Sequence, residues 1–110
     1  MEAAIEKGYR HFDTAIMYKT EEAVGNAIKK AIDGGIPREE FFITTKVWFT
    51  HIEDPIGQLQ ESLERMHLDY VDLCLVHWPL PPKDENGRFK KLPMHKIWAE
   101  FEKMVDKGMT

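Results

Sequence analysis

The feature that most constrains the fold is the regular return of short strand-like segments with helix-like segments between them. Three runs rich in β-branched and aromatic residues cover Tyr9–Asp13, Phe41–Lys46 and Tyr70–His77, so their starts are spaced by 32 and 29 residues. Short runs of this composition, flanked by turn residues, predict strands. A hairpin needs no helix between its strands, so the alternation predicts an α/β fold whose parallel strands are joined by right-handed crossovers.

The segments between the strands have helical periodicity. Apolar residues recur every three or four positions in Glu21–Asp33, in a segment that starts at Asp54-Pro55, and in Met94–Asp106. We expect Thr20 to cap the first of these helices, and Gly34-Gly35 to end it with a positive φ. The opening residues, 1–7, predict the last two turns of a further helix.

Two architectures fit this order of elements, a doubly wound sheet and part of a (β/α)₈ barrel. A barrel of about 250 residues has roughly 31 residues per unit, which is close to both spacings, but doubly wound units have similar lengths. No G-x-G-x-x-G sequence follows any of the three strands. The one long irregular stretch, Pro79–Pro93, with its Asn86-Gly87 turn signal, is either a binding edge or a solvated insertion.

Composition excludes several classes of function. The 15 Lys and Arg residues are outnumbered by 19 Asp and Glu, and the resulting net charge of −4 provides no basic surface for nucleic acid. A single cysteine, Cys74, cannot form an internal disulfide and predicts a reducing, cytoplasmic setting. No apolar stretch approaches the ~20 residues that span a bilayer, so we expect no membrane partner. The five histidines have no zinc-finger or zincin spacing, so we expect no metal site.

Each predicted strand ends on an ionisable residue, namely Asp13, Lys46 and His77. Because the carboxyl ends of parallel strands lie at one edge of the sheet, we expect these side chains to converge there, together with Tyr18 from the loop after the first strand. Taken singly, each residue has an ordinary structural explanation. Their shared placement is what indicates a site.

The residue types in this group suit one chemical task. A phenol ordinarily holds its proton too tightly to donate it efficiently near neutrality, and a nearby ammonium makes release easier. A chain of Asp13, Lys46 and Tyr18, with His77 as a neutral hydrogen-bond donor, could protonate a developing alkoxide, as carbonyl reduction requires. No serine lies in a nucleophile-elbow sequence, and Cys74 lies within a predicted strand.

The chain resembles the aldo-keto reductase family over essentially its whole length. The matching segments are Gly8–Ala15 (GYRHFDTA) with Tyr18, Glu21, Val24 and Gly25, then Lys46–Trp48 (KVW), then Leu75–Pro79 (LVHWP). The resemblance implies that Tyr18 is the proton donor, that Lys46 and Asp13 tune it, and that His77 orients the carbonyl. It also implies that Trp48 and Trp78 line an apolar substrate pocket, and that Asp13 lies near the nicotinamide ribose.

The family fold is a (β/α)₈ barrel, and the resemblance covers only its second to fourth units and the end of the first helix. It therefore implies that residues 1–110 are a partial barrel segment, incomplete at both ends. The leading hypothesis is an NADPH-dependent reductase of aldehydes and ketones, with NADH left open, whose isolated segment is inactive because most of the cofactor site lies elsewhere. The alternative is a catalytically inactive interaction module. In either case we expect self-association through exposed strand edges.

Overall fold

The computed structural model describes residues 1–81 and 83–110 and contains a three-stranded parallel sheet with helices between the strands. The helices are α1 (Glu2–Glu6), α2 (Glu21–Asp33), α3 (Pro55–Met66) and α4 (Met94–Asp106), and the strands are β1 (His11–Asp13), β2 (Phe42–Val47) and β3 (Leu73–Val76). The strand order is β1-β2-β3. The predicted α/β class with parallel strands is therefore confirmed.

The register of the sheet brings the carboxyl ends of the strands to one edge. Asp13 of β1 pairs with Thr44, and Lys46 of β2 pairs with Leu75 of β3. Beyond the last strand residues, the His77 N–H donates to the Val47 carbonyl at 3.0 Å. The residues that follow the three strands consequently lie side by side at this edge.

The two faces of the sheet differ in what covers them. Residues alternate between faces along a strand, and Ile43 and Val47 of β2 pack in one core cluster with residues of the helices. The largest fully buried side chains in this core are Phe41, Ile28, Ile43, Ile52, Leu59, Met66 and Met104. On the other face Phe42, Leu73 and Leu75 are 42%, 39% and 38% exposed. Lys46 lies on this second face, next to Leu75 in the register.

The third strand is shorter than the predicted run Tyr70–His77, because a side chain replaces the backbone at its start. The Ile43 N–H donates to the Asp72 carboxylate at 2.8 Å, and the Arg38 guanidinium donates to the same carboxylate at 2.9 Å and to the Tyr70 carbonyl at 3.0 Å. The Asp72 N–H still donates to the Ile43 carbonyl at 2.9 Å, but the register of paired residues begins at Leu73. The first strand is likewise confined to His11–Asp13, within the predicted Tyr9–Asp13.

Two details of the predicted helices are wrong. Thr20 is the residue at the start of α2, but its hydroxyl hydrogen-bonds the Thr14 hydroxyl at 3.0 Å and so does not cap the helix. Helical periodicity predicts that Trp98 and Val105 belong to the apolar stripe of Met94–Asp106, but they are 56% and 61% exposed, because Ile97, Phe101 and Met104 are the residues that face the core. Ala23, expected in the stripe of α2, is likewise exposed, because Val24, Ala27 and Ile28 are the apolar residues that are buried there.

Other local expectations agree with the structure. The Asp54 carboxylate accepts the Gly57 N–H at 3.0 Å and caps α3, with Pro55 at its first position. Gly35 has a φ of 105° after α2 ends. Of the irregular stretch Pro79–Pro93, Pro82 lies outside the described residues, and a turn at Gly87 joins the bridged residues Lys83 and Phe89. Across the described chain, none of the helices combines the length and the apolar content needed to cross a bilayer.

A buried carboxylate ties three elements together beneath the sheet. Glu21 at the start of α2 is 2% exposed and accepts the Thr45 hydroxyl of β2 at 2.8 Å and the Arg65 Nε of α3 at 3.0 Å. A carboxylate that is almost completely buried needs such hydrogen-bond partners, because removing its charge from water without them is unfavourable. This contact was not predicted from the sequence, because its three members are far apart along the chain.

The close crossing of α2 and α3 predicts a sharp effect of one substitution. A Cβ at Gly25 would lie 2.2 Å from the Met66 carbonyl oxygen, and this backbone atom cannot move aside cheaply. We expect Gly25→Ala to lower the free energy of unfolding by about 1–3 kcal/mol in urea titrations, as overpacking does. The control is Gly34→Ala, whose added Cβ would lie 3.3 Å from the nearest atom. Equal unfolding midpoints for the two variants would contradict the close approach.

Candidate active site

Lys46 lies near the carboxyl end of β2, and its ammonium has three oxygen neighbours. Nζ donates to the Asp13 carboxylate at the end of β1, to the Thr14 carbonyl at 3.0 Å, and to the Tyr18 hydroxyl at 3.4 Å. Its side chain is only 11% exposed, whereas that of Asp13 is 52% exposed. An ammonium has three hydrogens to donate and no acceptor. The three contacts therefore use all of them and fix the direction of the side chain.

Tyr18 ends the single 3₁₀ turn Ile16–Tyr18 that follows β1. This turn folds the chain back over the sheet edge, so that Lys46 Nζ lies 4.8 Å from the centroid of the Tyr18 ring. The Tyr18 side chain is 48% exposed. Its hydroxyl oxygen accepts a hydrogen bond from Lys46, so the phenolic hydrogen is not used in this contact.

His77 follows β3 and completes the group. Its ring meets the Tyr18 ring edge-on, with 5.6 Å between centroids and an interplanar angle of 89°. The His77 Nδ1 atom is buried and has no hydrogen-bond partner within the described ranges, 1–81 and 83–110. Burial lowers the pKa of His77, the positive charge of Lys46 lowers it further, and the Asp13 carboxylate opposes both effects. A pKa below 6.5 favours the neutral imidazole near pH 7.

The two tryptophans form an aromatic wall beside His77. The Trp48 ring lies 5.1 Å from the His77 ring and 5.6 Å from the Trp78 ring, measured between centroids. Trp48 is half-buried, whereas Trp78 is 51% exposed. The structure thus brings all six residues singled out in the sequence to the same edge of the sheet.

Two contributors to this site were not found in the sequence. The Thr14 carbonyl is a backbone group, which no motif of side chains reveals. Gln58 of α3 is 2% exposed and hydrogen-bonds the backbone of Lys46 and Trp48. The sequence contained one signal for Gln58, because it is a polar residue on the face of α3 that also carries the buried Leu59.

Cys74, the one cysteine of the chain, lies in an environment that disfavours its thiolate. Burial raises the pKa of the Cys74 thiol to about 12, and the negative charge of Glu21 adds to the effect. A thiol becomes nucleophilic only as a thiolate. Cys74 lies in β3, where it packs as a partly buried residue against the core.

The chain is similar to enzymes with known sequences and structures. A family model described as "Aldo/keto reductase family" matches residues 1–110. Aldehyde reductase YPR1 of Saccharomyces cerevisiae is 57% identical over 83 residues, which are 76% of this chain and 26% of that protein. Human aldo-keto reductase family 1 member C4 is 42% identical over 120 residues, covering 97% of this chain and 37% of the human protein.

Solved structures of aldo-keto reductases also superpose on this chain, which shows that they share its fold. The crystal structure of aldo-keto reductase AKR2E5 complexed with NADPH superposes with a TM-score of 0.89 at 39% identity, covering 99% of this chain and 34% of that one. Aldose reductase from Schistosoma japonicum superposes with a TM-score of 0.85 at 37% identity, covering 98% of this chain and 40% of that one.

These neighbours are (β/α)₈ barrels, and the chain corresponds to three strands of such a barrel, as the sequence predicted. The chain spans between about a quarter and two fifths of the length of the proteins it matches. The match along all 110 residues, together with the shared arrangement of strands and helices, shows that the chain belongs to the aldo/keto reductase family.

Proposed function

We propose that the polypeptide carrying this chain reduces the carbonyl group of an aldehyde or ketone to an alcohol with NADPH, and that Tyr18 donates the proton. The observation that carries the proposal is the contact of Lys46 with both Asp13 and Tyr18. An ammonium held next to a phenolic oxygen stabilises the phenolate that remains after proton transfer. The same contact directs the phenolic hydrogen toward the open edge, where a substrate oxygen can accept it.

Each partner of Lys46 has a distinct task in this scheme. The Asp13 carboxylate balances the ammonium charge, and the Thr14 carbonyl at 3.0 Å fixes its direction. Because all three ammonium hydrogens are used, Lys46 keeps its position without needing a substrate to order it. A general acid that is already in position at the start of the reaction is more effective than one that must be ordered first.

His77 acts as an uncharged hydrogen-bond donor to the substrate oxygen. Burial and the Lys46 charge lower the pKa of His77, so that near neutrality its imidazole carries one N–H and no net charge. A neutral donor next to Lys46 avoids placing a second positive charge in the site. We propose that His77 orients the carbonyl while Tyr18 protonates it.

Trp48 and Trp78 supply the apolar part of the binding site. Their rings, 5.6 Å apart between centroids, present aromatic surface next to His77. Aromatic walls with a few placed polar groups are typical of small-molecule pockets. The substrate class that fits is a small carbonyl compound with an apolar or aromatic substituent.

The cofactor assignment rests on Asp13 and on the family. Asp13 is the exposed carboxylate at the edge of the site, and it fits a ribose hydroxyl as a hydrogen-bond acceptor. Bound NADPH supplies a hydride to the carbonyl carbon. A relative 39% identical to this chain is described as complexed with NADPH, which favours NADPH over NADH. We also propose a cytoplasmic location, because the chain has a single cysteine, which cannot form an internal disulfide.

Replacing Tyr18 by Phe tests the proton donor. In the full polypeptide, we expect Tyr18→Phe to lower kcat for NADPH-dependent reduction of p-nitrobenzaldehyde by about 10²–10⁴-fold, because a positioned general acid contributes that much. Tyr9→Phe is the matched control, since Tyr9 is a 64% exposed tyrosine just before β1. Turnover that stays near the wild-type value in Tyr18→Phe would remove Tyr18 from this role.

Titration of the 110-residue chain with NADPH, followed by tryptophan fluorescence, separates an enzyme segment from an inactive module. A saturable change in fluorescence favours the enzyme segment, and the absence of a saturable change favours the inactive module.

The environment of His77 predicts a pH dependence of stability. The pKa of His77 is lower in the folded state than its ordinary value of 6.5, so between these two values the unfolded chain binds more protons. The free energy of unfolding therefore rises with pH across this window, and the contribution is lost as the pH falls through the lowered pKa. We expect urea titrations to show that His77→Gln removes this part of the slope. An unchanged slope would contradict the assignment, and His95→Gln on α4 is the control.

A second proposal concerns the apolar face of the sheet. Phe42, Leu73 and Leu75 are exposed on that face, and β1 and β3 each pair with one strand among the described residues. Exposed apolar surface next to unpaired strand edges favours association. We propose that the 110-residue chain self-associates through this face.

Sedimentation velocity tests the association directly. We expect the 110-residue chain to sediment as an oligomer at micromolar concentration and Leu73→Ser to shift it toward monomer, because the substitution removes apolar area from the contact. Val105→Ser on the exposed side of α4 is the control and should sediment as the wild type does. A wild-type chain that is monomeric at all concentrations would contradict the proposal.

A further inference from the structure

Gln58 is a buried polar side chain that the proposed reaction does not use. It lies on α3 and is 2% exposed. Its Oε1 atom accepts the backbone N–H of Trp48 at 3.0 Å, and its Nε2 atom donates to the backbone carbonyl of Lys46 at 3.3 Å. Both groups of one side-chain amide are thus bound to the two residues that flank Val47.

These two backbone groups lie where β2 extends past its neighbour β1. The last hydrogen bond from the β1 side joins the Thr14 N–H to the Thr44 carbonyl at 2.8 Å. On the other side, the Val47 carbonyl still accepts the His77 N–H at 3.0 Å. Within the described residues, the Lys46 carbonyl and the Trp48 N–H find their partner in Gln58 and not in a strand.

The amide of Gln58 makes the pair of bonds that a residue of a neighbouring parallel strand would make. In a parallel ladder, one residue donates to the carbonyl before its partner and accepts from the N–H after it. Here the partner is Val47, and the side-chain amide takes the place of the missing strand residue. Leaving these buried backbone groups unbound would be unfavourable.

We propose that Gln58 is a positioning residue that holds the end of β2 so that Lys46 reaches Tyr18 and Trp48 packs on His77. This inference rests on the proposed function. Lys46 and Trp48 diverge from the same short backbone segment, one toward the proton donor and the other toward the aromatic wall. A shift of that segment would move both of them at once.

Two substitutions separate positioning from general stability. Gln58→Met keeps the length of the side chain and removes both hydrogen bonds. Gln58→Glu keeps both bonds only while its carboxyl is protonated, because the ionised form has no hydrogen to donate to the Lys46 carbonyl. Ser62→Ala is the control, since Ser62 is a buried polar residue one turn further along α3 whose hydroxyl accepts from Arg65 at 3.3 Å.

The kinetic arm uses the full polypeptide with NADPH and p-nitrobenzaldehyde. We expect Gln58→Met to lower kcat by about tenfold to a hundredfold, which is the effect of displacing a reacting group by about an ångström. Gln58→Glu should retain more activity than Gln58→Met at low pH and lose it as the pH rises and the carboxyl ionises. Ser62→Ala should keep the wild-type kcat and pH profile. Equal pH profiles for the two Gln58 variants would overturn the proposal.

The structural arm does not depend on activity. In the same polypeptide, a nuclear Overhauser contact should join the Lys46 ε-methylene protons to the Tyr18 ring, because Nζ lies 4.8 Å from the ring centroid. We expect Gln58→Met to lose this contact and Ser62→Ala to keep it. If Gln58→Met keeps it, the positioning role is wrong. A wild-type polypeptide without reductase activity would contradict the proposed function, and the nuclear Overhauser contact would still decide the role of Gln58.

Discussion

The ammonium of Lys46 is the group on which the rest of the site depends. A positive charge that is 11% exposed must be stabilised by nearby oxygens, and the chain provides the Asp13 carboxylate, the Thr14 carbonyl and the Tyr18 hydroxyl. These three groups belong to β1 and to the turn after it, while Lys46 belongs to β2. The parallel pairing of β1 with β2, in the observed register, brings these oxygens to the ammonium. The same pairing therefore builds both the sheet and the contacts of Lys46.

The Lys46 charge affects two neighbouring side chains, Tyr18 and His77, in different ways. The Tyr18 hydroxyl oxygen accepts a hydrogen bond from Lys46 at 3.4 Å, which leaves its own hydrogen available to another acceptor. His77, next to Tyr18, stays neutral because burial and the Lys46 charge lower its pKa. One cation thus lies next to both the proposed proton donor, Tyr18, and the proposed uncharged hydrogen-bond donor, His77. The buried Glu21 carboxylate, paired with the partly exposed Arg65, lies on the helix side of β2 and holds the same strand through Thr45.

Much of the fold could be predicted from local sequence. The alternation of strand-like runs with helical segments predicted parallel strands, which the structure has. The segment Asp54-Pro55 marked the start of α3 correctly, because a cap and a proline act over a few residues. The predicted cap of α2 and the predicted start of β3 were wrong, because in each case a hydrogen bond to a residue outside that element changed the local structure. Thr20 does not cap α2 because its hydroxyl bonds Thr14, and β3 starts late because Asp72 bonds Ile43 and Arg38.

The sequence by itself determined which residue types follow each strand, and hence that a carboxylate, an ammonium and an imidazole would meet at one edge, since parallel strands place their carboxyl ends together. The family motifs around Tyr18, Lys46 and His77 carried the same information. Only the tertiary structure decided which hydrogens of Lys46 go to which oxygens, and that the amide of Gln58 takes the place of a strand beside Val47. Those contacts join residues of different elements through backbone atoms. Every residue has such atoms, so which of them become partners depends on packing and has no signature in the sequence.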